Sequence, residues 1–100
     1  MKEYHYHDPY GKVVGIKARV ETKEGGKKIW WTKPLEKSGI PYNLHKLQKQ
    51  KVVFVLEGEK CCHLFQEFTN WTATCSPNGS NVDSNTIAYL KMLKVERMVI

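Results

Sequence analysis

The spacing of hydrophobic and polar residues along this chain changes character near residue 50. In the first part, Val13-Val14-Gly15-Ile16-Lys17-Ala18-Arg19-Val20 alternates from Val14 onward. That period of two places Val14, Ile16, Ala18 and Val20 on one face of a strand and Gly15, Lys17 and Arg19 on the other, predicting a half-buried strand with a basic outer face. Tyr4-His5-Tyr6-His7 alternates as well, and Asp8-Pro9-Tyr10-Gly11 carries proline second and glycine fourth, the signature of a β-turn. Glu24-Gly25-Gly26-Lys27 supplies a second hairpin turn, and Lys28-Ile29-Trp30-Trp31-Thr32 a third strand. The first 33 residues therefore predict a three-stranded antiparallel meander.

Beyond residue 50 the pattern is different. Val52-Val53-Phe54-Val55-Leu56 is an unbroken apolar run, too many residues for one face of a two-sided strand, and it predicts a central parallel strand covered on both sides. Cys61, Leu64, Phe65 and Phe68 then fall at the spacing of a helix stripe facing a sheet. Trp71 to Cys75 reads as a second strand. A helix capped by Asp83 or Ser84 runs through Thr86 to Lys94, and Val95 to Ile100 begins a third strand. Strand, helix, strand, helix, strand calls for a parallel layer with right-handed crossovers. Between the halves, Pro34 to Tyr42 is a connector bounded by prolines, and Asn43 caps a short helix with Leu44 and Leu47 on one face and His45 at the surface. The class is α+β overall: a basic antiparallel β subdomain with its connector, residues 1–45, then a small β-α-β-α-β parallel subdomain, residues 46–100.

Charge sharpens this division. Residues 1–51 hold twelve Lys or Arg against five acids, whereas residues 52–100 hold four against five, so the net +6 is the sum of about +7 in the first half and about −1 in the second. A basic half beside a neutral one points to a polyanion, most plausibly nucleic acid, although lysines on an antiparallel sheet also protect its edges. Lys17, Arg19, Lys27, Lys28 and Lys33, interleaved with Tyr4, Tyr6, Tyr10, Trp30 and Trp31, combine cations for phosphates with π faces for bases, the chemistry of single-strand binding. Of the two tryptophans, the one that points inward belongs to packing. No apolar run approaches the roughly 20 residues of a membrane span. The start of the chain has no apolar leader segment, and three cysteines, two of them adjacent, do not form a disulfide framework; both fit a reducing cytoplasm.

Glu57 follows the central strand, at the carboxyl end where open α/β sheets place their ligand crevices. Ser76-Pro77-Asn78-Gly79-Ser80-Asn81 reads either as an anion-binding loop built on the amides of Asn78, Gly79 and Ser80 or as an ordinary connector. Cys61, Cys62, His63 and Cys75 do not have the ligand spacing of a zinc site.

The run Phe54-Val55-Leu56-Glu57-Gly58-Glu59-Lys60, followed by a helix, a strand ending in a small polar turn, a helix and an apolar strand, resembles the first half of a Toprim domain, closest to the primases and primase-helicases of phages and mobile elements. The upstream Tyr-rich strand, Asp-x-x-Gly turn, basic strand, Trp-containing strand and Pro41-Tyr42-Asn43-Leu44 fit the same likeness. The resemblance implies DNA replication, nucleotidyl transfer or phosphodiester chemistry with Mg²⁺, Glu57 as general acid or base, Glu57 and Glu59 near the metal, and Lys60 beside the nucleic acid. An Asp-x-Asp at the end of the third strand holds the metal in that family, and this sequence stops at Ile100 before it. Cys61 also replaces a usually acidic helix position. The expectation is a catalytically incomplete chain with no cofactor of its own, which binds single-stranded DNA in preference, alone or with a helicase or polymerase. A purely structural or protein-binding domain is the alternative, and a homodimer through an exposed sheet edge is a further expectation.

Overall fold

The structure is a computed structural model that describes residues 1–47, 50–69, 71–77, 84–93 and 97–99. Strands β1 (Lys2–His7), β2 (Val13–Glu21) and β3 (Lys27–Lys33) form an antiparallel sheet in the order β1-β2-β3. The two turns close as their residues require. Asp8 Oδ1 accepts the Tyr10 and Lys12 amides, Gly11 takes a left-handed φ of 91°, and Gly25 does likewise at 83° in the second turn. A second, parallel sheet of order β5-β4-β6 is built from β4 (Val52–Leu56), β5 (Ala73–Cys75) and β6 (Arg97–Val99). Helices α1 (Glu59–Thr69) and α2 (Ser84–Met92) are its crossovers. The α+β class and both sheets thus follow the sequence reading. The expected cap Asp83, and Val95, Glu96 and Ile100 of the third strand, lie outside the described residues.

Alternate residues of β4 face opposite ways. Phe54 meets Phe65 of α1, with ring centroids 5.0 Å apart, whereas Val53 and Val55 cluster with Leu47 and Leu90 of α2. The helices therefore cover opposite faces of the parallel sheet. The larger core cluster crosses between the two sheets and joins Tyr4, Tyr6 and Val14 of the meander to Tyr42, Cys62, Ala73 and Cys75. The connector lies along the outer edge of β5: the Tyr42 amide donates to Cys75 O at 3.1 Å, Asn43 Nδ2 donates to Ala73 O at 3.0 Å, and the Thr74 hydroxyl donates to Tyr42 O. An edge that would otherwise recruit another strand is closed in this way. No helix of the described residues is long and apolar enough to cross a membrane.

Three expectations are corrected. The basic face of β2 is not the outer one. Lys17 is buried, Gly15 lies under Leu35, and Ile16 and Val20 are only half-buried on the opposite side. The register explains why. Lys17 stands opposite Tyr4 and Trp31, and Gly15 opposite Tyr6, so the aromatic surface supplied by the neighbouring strands outweighs the modest apolar surface of Ile16 and Val20. The stripe on α1 is also displaced. Cys62 and Glu59 are buried, while Cys61 and Leu64 are exposed and Phe68 is 86% exposed. The short helix is a 3₁₀ turn, η1 (Leu44–Lys46), that buries Leu44 and is followed by fully buried Leu47, as expected. Asn43, however, adopts a left-handed φ of 64° and spends its amide on Ala73 rather than on a cap.

Candidate functional site

The Glu57-Gly58-Glu59 turn separates two carboxylates that look equivalent in the sequence. Glu57, just past β4, is exposed. Glu59 opens α1 and is buried, and its Oε2 accepts the Tyr6 hydroxyl at 2.7 Å and the Lys17 ammonium at 2.7 Å. Lys17 Nζ also donates to Pro77 O at 2.7 Å and lies over the rings of Trp31 and Tyr6, at 5.1 and 5.6 Å. A buried charge is tolerable only when paired and hydrogen-bonded, and here both partners are. Burial first, then Cys75 and Glu59, push the Tyr6 phenol far above its ordinary range, so it is a permanent donor. The Cys75 thiol is raised as well, by its hydrogen bond with Cys62 and then by burial, which leaves it unreactive. This cluster ties the meander to α1 and to the end of β5, and it consumes Glu59 and Lys17.

Most other predicted cations are also engaged. Arg19 lies 3.6 Å from Glu21, and Lys60 is 3.3 Å from the same carboxylate. Lys33 Nζ donates to Val13 O at 2.9 Å and to Glu36 at 3.4 Å. Lys27 and Lys28 stand exposed on β3. Trp31 points inward against Tyr6, with ring centroids 5.2 Å apart, whereas Trp30 points outward and is 41% exposed. Ala18 is the cross-strand partner of Trp30, and Val20 that of Lys28. The outer face thus assembles Trp30 and Lys28 over Ile16, Ala18 and Val20, with His5 and Glu3 of β1 alongside. Asn78, Gly79 and Ser80 lie outside the described residues. Among the described residues no three His, Cys, Asp or Glu side chains are grouped as they would be around a metal ion.

A second feature was missed by the sequence reading. An open cleft of about 620 Å³ lies beside β1, lined by Glu3, His5 and His7, by His45 and Lys46 of η1, and by His63 and Glu67 of α1. His45, expected at the surface, is half-buried, with its ring 4.0 Å from that of His7. His63 Nε2 is hydrogen-bonded to the Tyr42 hydroxyl at 2.7 Å. Burial is the first cause that lowers the pKa of His7, His45 and His63, which favours their neutral form. The alternation in Tyr4-His5-Tyr6-His7 was the only local signal; the approach of η1 and α1 is a tertiary event.

Comparison with known proteins adds no relative: no family model, no curated protein and no solved structure matches this chain.

Proposed function

We propose that this chain is a nucleic-acid-binding replication protein of the Toprim-primase kind, whose meander contacts single-stranded nucleic acid, DNA in preference, without catalysing a reaction of its own. The observation that carries this reading is Trp30, 41% exposed on an open antiparallel sheet face, with Lys28 two residues away on the same face. An exposed indole gives a base a stacking platform, and the ammonium of Lys28 beside it neutralises a phosphate, with exposed Lys27 adding to the field from the end of the strand. Lys17, buried against Glu59, has no part in it; Arg19, Lys33 and Lys60 contribute to the field rather than to contacts. Tryptophan fluorescence titrated with a labelled oligonucleotide is the direct test. Binding that weakens with salt and is weakened further in Trp30→Ala supports the reading, and no binding at low salt overturns it in favour of a protein-binding domain.

A second reading rests on Glu57. It stands exposed at the carboxyl end of the central strand of a β5-β4-β6 sheet, where the strand order reverses. There it would act as the acid or base of phosphoryl chemistry with Mg²⁺, once further carboxylates join it. Magnesium-dependent turnover of a nucleotide substrate that disappears in Glu57→Ala would favour this reading over the first.

A further inference from the structure

All four histidines of the chain line one cleft beside β1. We propose that this cleft binds a divalent transition-metal ion of the imidazole-preferring kind, such as Zn²⁺, Ni²⁺ or Cu²⁺, with His5, His7 and His45 as its ligands. This inference does not depend on the nucleic-acid reading, which rests on Trp30 and Lys28 rather than on the histidines.

Three observations support it. His5 and His7 are alternate residues of β1 and both face the cleft. At about 3.3 Å of rise per residue their Cα atoms lie roughly 6.6 Å apart, a separation that two imidazoles bridge onto one ion with metal–nitrogen bonds of about 2.0–2.1 Å. His45 arrives from a different element, and its ring lies 4.0 Å from that of His7. Finally, Nδ1 of His7 and Nδ1 of His45 are both buried without a hydrogen-bond partner. Two such nitrogens in one wall call for a partner that the protein does not supply.

Charge decides what that partner is. The fixed charges of the lining are Glu3 and Glu67 against Lys46, a slight excess of negative charge, which disfavours an anion. Imidazole donors favour borderline ions over Mg²⁺ or Ca²⁺. His63 is left out of the ligand set because its Nε2 is engaged by Tyr42. As the rings stand, three donors do not converge among the described residues, so binding requires the His7 and His45 rings to leave their stack and turn toward His5.

The test is a calorimetric titration of the full chain with Zn²⁺, in a Cys61→Ser background because that exposed thiol would compete. We expect one ion per chain, and a loss of about tenfold or more in affinity for His5→Gln, His7→Gln and His45→Gln. His5 is exposed, so His5→Gln reports on binding without disturbing the fold; circular dichroism checks the other two. His63→Gln should change affinity by about twofold at most, well below the loss of a ligand. Binding should also weaken on acidification, because the ligands must be deprotonated to bind the ion. The proposal fails if no stoichiometric binding occurs with Kd below about 100 µM. It also fails if His5→Gln binds as the parent does, or if His63→Gln loses as much as the proposed ligands.

Discussion

Lys17 Nζ and Glu59 Oε2 lie 2.7 Å apart, both almost wholly buried, and join the middle strand of the meander to the first turn of α1. The pair is further held by Tyr6 and by Pro77 O, so neither charge lacks a partner. Truncating one member leaves the other buried and uncompensated. Lys17→Met should therefore cost about 3–5 kcal/mol, whereas Lys17→Met with Glu59→Leu should recover most of that loss. Urea unfolding of the three chains measures both. A single-variant cost below about 1 kcal/mol would mean that the pair behaves as an exposed one.

The α1 stripe offers a complementary check. Phe68, placed by periodicity in the core, is 86% exposed, while Cys62 is buried against the β5 side. Phe68→Ser should change stability by no more than about 0.5 kcal/mol, as surface substitutions usually do. Cys62→Asp should cost several times more, because it buries a charge beside Cys75. Equal costs would show that the stripe packs as its periodicity suggests.

These two cases mark where the sequence was legible. Strand and helix types followed from local period: the apolar run Val52 to Leu56 is the central strand, and the alternation around Ile16 is a strand in an antiparallel sheet. Which face turns inward did not follow, because that depends on neighbours. Lys17 goes inside because Tyr6, Trp31 and Glu59 surround it, and a residue's own chemistry does not reveal them. The two carboxylates of Glu57-Gly58-Glu59 were indistinguishable for the same reason. His7 and His45 are 38 residues apart in sequence, and their stacking depends on the η1 turn that buries Leu44 and leads into buried Leu47.

Gly39 reports on the docking of α2. Its φ is 81°, and a methyl group built there would run into Asn85 and come within 2.9 Å of the Thr86 backbone nitrogen. The Thr86 hydroxyl also donates to Gly39 O at 2.7 Å. Gly39→Ala should cost about 1–3 kcal/mol, from the left-handed backbone together with the clash. Thermal unfolding measures the loss, and an unchanged Tm would place α2 elsewhere.

Stability should fall on mild acidification. His7, His45 and His63 all sit below the ordinary imidazole range, through burial first and then through the electrostatic influence of His5 and Lys46 on His7, of His7 and Lys46 on His45, and of Lys2 and Lys46 on His63. A hydrogen bond with the His5 backbone and then Asp8 oppose the shift at His7, and Glu59 and Glu67 oppose it at His63. The unfolded chain thus takes up these protons first, from about pH 6.5 downward. The contribution is complete above that pH and is lost as the pH falls through the lower folded values. Tm measured against pH should decline below about 6.5, and His45→Gln should make the decline shallower. A flat profile in the parent chain would rule out desolvated imidazoles.

The outer sheet face makes a separate, quantitative prediction. Lys28 is exposed and lies beside Trp30, whereas Lys17 is buried against Glu59. If Lys28 neutralises a phosphate, replacing it with Gln removes one released counterion. The slope of log K against log salt for a single-stranded oligonucleotide should then fall by about 0.7. Trp30→Ala should remove about 1–3 kcal/mol of binding free energy, the worth of one stacked base, with the slope unchanged. Affinity measured at four or more salt concentrations separates the two effects, since stacking moves the intercept and a phosphate contact moves the slope. Lys12→Gln, exposed in the turn beyond β1, serves as the reference for a lysine off this face. An equal slope change for Lys12 and Lys28 would mean that the basic half attracts the strand only through its overall field, with Trp30 in no special position.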